Sequence, residues 1–120
     1  DLETITIGST GPLTGGAASY GISVKQGAEI AIEEINNAGG VKVGDKSYNL
    51  ALQFEDDEAD EEKARTAYST LMDKKVDVIM GAVTSGSSLA ITDLTKADNI
   101  LQLMTMCSVF ALQILFKVRQ

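Results

Sequence analysis

Short apolar runs alternate with longer segments of helical periodicity along most of this chain, and that alternation constrains the fold more than any other feature. Leu2 to Ile7 reads as a first strand. After a glycine-rich loop, Val24, Ala28, Ala31, Ile32 and Ile35 recur at the spacing of one helix face. Asn37-Ala38-Gly39-Gly40 ends that helix, glycine being free to take the left-handed cap. Val41 to Asp45 and Ser47 to Glu55 flank the turn Gly44-Asp45-Lys46, and Tyr48, Leu50, Leu52 and Phe54 alternate with strand period.

The pattern then repeats. Asp60-Glu61-Glu62 supplies first-turn carboxylates for a helix marked by Ala64, Ala67, Tyr68, Leu71 and Met72. Val76 to Met80 reads as a buried strand ending at Gly81, and Ser85 to Ser88 as N-cap residues of a third helix carrying Ala90, Ile91, Leu94 and Ala97. Ile100 to Thr105 reads as a fourth strand. This β-α-β-α-β-α-β order implies right-handed crossovers and an α/β parallel sheet with helices on both faces. One domain suits a chain of 120 residues.

Residues 106–120 differ in character. MCSVFALQILFKVRQ has no Gly, Pro, Asn or Asp, and Phe110, Leu112, Ile114, Phe116 and Val118 alternate as in a strand, although the length also permits a helix. Such a segment is able to pair strands between chains, so a homodimer through 106–120 is one structural expectation.

Charge and composition exclude several function classes. Ten basic against seventeen acidic side chains give a net charge of −7, which argues against nucleic acid as a partner. There is no histidine, the commonest metal ligand and the usual general base near neutral pH. One cysteine, Cys107, rules out an internal disulfide and a thiolate zinc cluster. The acidic run from Glu55 to Glu62 lacks the glycine and ligand spacing of a calcium loop and reads as a solvated helix start. No cofactor and no catalytic residue are expected. Asp1-Leu2-Glu3-Thr4 has neither the basic nor the apolar region of a secretory leader, which fits a processed start or a cytoplasmic one.

With strand order 2-1-3-4, the crevice of a doubly wound sheet opens beyond the first and third strands, below loops 8–20 and 81–88. The first loop, GSTGPLTGGAASYG, has neither the Gly-Lys-Ser/Thr ending of a phosphate loop nor dinucleotide spacing. It ends in Tyr20, either a wall for an apolar ligand or a packing tyrosine. The second, Gly81 to Ser88, brings four hydroxyls to a helix N-terminus, where unpaired N–H groups attract an anion, carboxylate as well as phosphate. The plainer reading is that Ser85 or Ser87 only caps the helix.

These residues resemble a known family. Gly11-Pro12-Leu13-Thr14-Gly15, Tyr20-Gly21, Gly27-Ala28, Ile35-Asn36 with Gly39-Gly40, Asp56-Asp57 with Asp60, and Gly81 leading into the serine loop are similar to the leucine/isoleucine/valine-binding type of periplasmic binding protein, the amino-acid receptors of ABC importers. The likeness covers residues 5 to about 103. It implies a flavodoxin-like, partial type I periplasmic-binding-protein lobe over residues 1–105, half of a two-lobed clamp that closes on an amino acid and presents it to an ABC permease outside the cytoplasm.

By position, the resemblance gives Ser85 and Thr84 to the ligand α-carboxylate and Tyr20 and Val83 to the side-chain pocket. Met106 and Ser108 fall where the family has a further contact, although Met104-Thr105-Met106-Cys107 departs from its Thr-Pro-small-small pattern. The family's second lobe has no counterpart here, and from about Met104 the likeness ends, as expected of a truncated chain or an altered reading. Weak or no binding alone is the expectation. The competing class is a flavodoxin-like receiver or flavin binder. A receiver requires acids at the ends of the first and third strands, where this sequence has Gly8 and Gly81.

Overall fold

The computed structural model describes residues 2–105; the expected tail strand, the boundary at 105 and its dimer contact lie at or beyond the end of this range. The element order is β1 (Glu3–Gly11), α1 (Ala18–Asn37), β2 (Val41–Val43), β3 (Lys46–Asp56), α2 (Glu61–Asp73), β4 (Val78–Gly81), α3 (Ser85–Ala97) and β5 (Gln102–Leu103). The sheet runs β2-β3-β1-β4-β5. Strands β3, β1, β4 and β5 are parallel, and β2 folds back antiparallel on β3 as a hairpin arm. With β3 taken as the second strand, this is the expected order 2-1-3-4.

Strand β1 is longer than its apolar run. It pairs with β3 from Glu3↔Tyr48 to Gly11↔Asp56 and with β4 from Ile7↔Val78 to Thr10↔Gly81. Ladders on both flanks thus carry Gly8-Ser9-Thr10 as strand, and β3 alone carries Gly11, although their propensity predicts a loop. Conversely, the fourth strand shrinks from Ile100–Thr105 to Gln102–Leu103.

Strand alternation assigns the two faces. Ile5, Ile7, Leu50, Leu52, Val78 and Met80 share the face of α1, while Gly8, Thr10, Ile79 and Gln102 share that of α2 and α3. The second face holds the core: Ala64, Tyr68, Leu71, Val76, Ile79 and Ile91, with Met72, Leu94 and Ile100 packed against it. Asp60 caps α2 by accepting from the Lys63 N–H at 2.9 Å, so the predicted helix start is the observed one.

Helix α1 is held differently. Of its predicted apolar face, Val24, Ala28 and Ile32 are half-buried and Ala31 and Ile35 exposed; Gly21 is its buried residue. Polar contact compensates: Asn36 Nδ2 donates to Leu50 O at 2.9 Å, and Leu50 N–H donates to Asn36 Oδ1 at 2.8 Å. Strand β2 pairs with β3 only as far as Tyr48, so Asn36 takes the place of a neighbouring strand at the next outward-facing residue.

Candidate functional site

Strands β1 and β4 are neighbours, so the loops that follow them leave the same carboxyl edge side by side. Their closeness is measured at Gly11: a Cβ built there would lie 2.5 Å from Val83 Cγ2 and 3.1 Å from Phe54 Cζ. Glycine is what lets the second loop settle over the first strand.

Asp56, at the end of β3, ties down the first loop. It accepts from Leu13 N–H at 2.8 Å, Thr14 Oγ1 at 2.6 Å and Glu58 N–H at 2.9 Å. Burial pushes its carboxyl upward, but these hydrogen bonds outweigh it and hold the group below the ordinary carboxylate value. Beyond the turn, Gly21 packs so tightly on Pro12 that an added Cβ would lie 1.8 Å from the Pro12 carbonyl oxygen. Tyr20 precedes it in the first turn of α1 and is 56% exposed.

The second loop turns into α3. Thr84 is the N-cap, with extended φ −91° and ψ 152°, and its carbonyl accepts the Ser88 N–H at 2.9 Å. The cap is therefore one residue earlier than the expected Ser85–Ser88, and Thr84 makes no side-chain capping bond. Its Oγ1 and the Ser87 Oγ are buried without a hydrogen-bond partner among the described residues. Ser85 opens the helix, half-buried. Val83 is 2% exposed, so its side chain forms floor beneath the edge. Structure thus brings Val83, Thr84 and Ser85 together beside the loop that leads to Tyr20. Met106 and Ser108 lie outside the described residues.

Three buried polar groups, Asp57, Ser88 and Gln102, support this edge. Asp57 is fully buried and accepts from Thr10 Oγ1 at 2.7 Å and Ala59 N–H at 2.9 Å. Burial raises its carboxyl above the ordinary value despite those bonds. Ser88 Oγ donates to Ala82 O at 3.0 Å, and Gln102 Nε2 to Gly81 O at 2.9 Å. The family-like Asp56-Asp57 pair was a signal for Asp57 and the serine run for Ser88; nothing in strand period signals Gln102.

The two loops bring no Asp, Glu, Lys or Arg of their own: none occurs from Thr4 to Val24 or from Val78 to Thr92. What they offer an anion is the N-terminus of α3, its main-chain N–H groups and hydroxyls. Glu61 of α2 comes up against Gly86, its Oε1 3.2 Å from where a Cβ would stand. Among the described residues no group of three or more Cys, Asp or Glu side chains is placed to hold a metal, and no helix is long and apolar enough to cross a membrane. A separate depression of about 440 Å³ lies along the far half of α1, lined by Glu29, Ile32, Glu33, Asn36, Asn37 and Leu52.

Comparison with known proteins agrees with this geometry. The profile of a family described as periplasmic binding protein matches residues 4–112. A Leu/Ile/Val-binding protein homolog 3 from Brucella melitensis is 37% identical over 97 residues, covering 81% of this chain and 25% of the relative. A leucine-, isoleucine-, valine-, threonine-, and alanine-binding protein from Pseudomonas aeruginosa is 34% identical, covering 84% of this chain and 26% of the relative. In three dimensions the chain is similar to the branched-chain amino acid transporter substrate binding protein LivJ from Streptococcus pneumoniae, solved in complex with isoleucine. The TM-score is 0.79 at 25% identity, over 88% of this chain and 29% of that one. The chain thus spans about a quarter of the length of the curated relatives it matches. It belongs to the periplasmic binding protein family, among relatives of the leucine/isoleucine/valine-binding type.

Proposed function

We propose that this chain is the amino-terminal lobe portion of an extracytoplasmic amino-acid receptor of an ABC importer, and that it binds rather than catalyses. The observation that carries the reading is the N-terminus of α3, which opens at the sheet's carboxyl edge with Thr84 and Ser85 on it and no Lys or Arg in either loop. A zwitterionic amino acid would set its carboxylate there, against N–H groups and hydroxyls. Tyr20 would border the ligand side chain above the Val83 floor. Met106 and Ser108 would complete the contact around the ammonium and carboxylate.

In the parent protein a second lobe would close over the ligand by hinge motion, and the closed form would be offered to the permease. The mechanism is differential: closure follows the ligand because only the closed arrangement makes both sets of contacts. Without the second lobe this chain supplies half of them and none of the closure. Its affinity for leucine, isoleucine or valine should therefore be in the millimolar range, weaker than about −5 kcal/mol.

Calorimetric titration with these amino acids is the test. A weak signal abolished by Ser85→Ala supports the site. Micromolar binding by the 120-residue chain would refute the half-clamp reading, and an undiminished signal in Ser85→Ala would refute the placement of the carboxylate.

A further inference from the structure

Gln102 is polar, lies in the sheet and is 7% exposed, so its amide must be satisfied from within. Both of its ends find partners. Nε2 donates to Gly81 O at 2.9 Å and to Ser88 O at 3.3 Å, while Oε1 lies 2.8 Å from Thr95 Oγ1, whose single proton it shares with Thr92 O at 3.0 Å. Both carbonyls can only accept, so the amide has one workable orientation, with Oε1 toward the Thr95 hydroxyl. Thr95 is itself 3% exposed.

The carbonyls held this way are those through which β4 becomes the second loop. Gly81 O is held by Gln102, and the next carbonyl, Ala82 O, by Ser88. Ser88 also ties Gln102 to the first turn of α3 through its own carbonyl. Two successive peptide groups just before Val83 and Thr84 are therefore fixed by buried side chains. An apolar residue of equal size would fill the same space at β5 and leave Gly81 O unheld, with Ala82 O still held by Ser88.

We propose that Gln102 is a positioning residue for the ligand loop: it sets the main chain at 81–84 so that Thr84 and Ser85 present the α3 N-terminus to a carboxylate. It touches no ligand. The role of the loop rests on the amino-acid-binding reading; the clamping of the loop does not, so the two are measured separately.

The test is nuclear magnetic resonance on the full 120-residue chain, comparing wild type with Gln102→Met, which keeps length and loses both hydrogen-bonding ends, and with Thr95→Val. The carbonyl carbon of Gly81 and the amide nitrogen of Ala82 report the clamp directly. Expected are shifts confined to residues 81–88 in Gln102→Met and smaller shifts of the same direction in Thr95→Val, with core signals of Leu71 and Ile91 in place. Leucine should then bind Gln102→Met about tenfold more weakly, a loss of about 1.4 kcal/mol. Unmoved 81–88 signals, or loop and core signals moving together, would overturn the proposal and leave Gln102 as ordinary packing. If Gln102→Met fails to fold, Thr95→Val decides by the same signals. If leucine shifts nothing in wild type, this chain alone binds too weakly to read, and the Gly81 carbonyl decides the clamp by itself.

Discussion

Within the acidic run from Glu55 to Glu62, position decides what each carboxylate does. Asp60 caps α2, Glu58 pairs with Lys63 and Glu55 with Lys74 at 2.5 Å, all near the surface. The solvated-helix-start reading describes these well. It misses Asp56 and Asp57, because one-residue steps in a strand's end point to opposite faces and composition does not record which. Asp57, with its carboxyl raised by burial, is the informative one. A raised carboxyl binds its proton more tightly in the folded state, so stability is lost as pH rises through the raised value. Asp56 acts oppositely, stabilising above the ordinary value and losing that contribution as pH falls through its lowered one. Asp57→Asn keeps an acceptor for the Ala59 N–H and gives Thr10 a donor. It should be at least as stable as wild type at pH 7, with the advantage shrinking as pH approaches 4. Urea unfolding at the two pH values measures this.

At the scale of elements, helix α1 depends on two small details more than on its apolar stripe. Gly21→Ala would push a methyl into the Pro12 carbonyl and should cost about 1–3 kcal/mol by overpacking. The displacement would appear in the amide signals of Leu13 and Tyr20 before those of α2. Asn36→Leu adds apolar surface yet strips Leu50 of both partners, and should lower stability by about 1–2 kcal/mol in thermal unfolding. Element type was legible in the sequence because period and turn chemistry agree from β1 to α3. Lengths were less so: Gly8 to Thr10 are strand only because β3 and β4 flank them. The α1 stripe predicted deeper burial than Ala31 and Ile35 receive. Gln102 was illegible, since a strand residue shows its partner only once α3 is laid across it.

At the scale of the whole molecule, strand order was readable because crossover handedness leaves few choices, and the two loops meeting at Gly11 and Val83 follow from it. A site built from such loops relies on dipoles, with no salt bridge of its own. Dipolar capture and ion pairing respond differently to salt. Leucine binding should therefore be nearly flat between low and physiological ionic strength, measured by the same titration.

The absence of lysine and arginine from both loops also sorts ligands by their own charge. The chain carries −7 overall, and Glu61 stands close to the α3 N-terminus while the Arg65 guanidinium is engaged further along α3 on Ala90 O at 2.9 Å, so a ligand that adds net negative charge would meet repulsion. A zwitterion brings its own counter-charge and escapes this. Isocaproate, which is leucine without its amino group, should then bind more weakly than leucine, and the gap should narrow as salt is added. Such a site would recognise electroneutrality before it recognised any side chain.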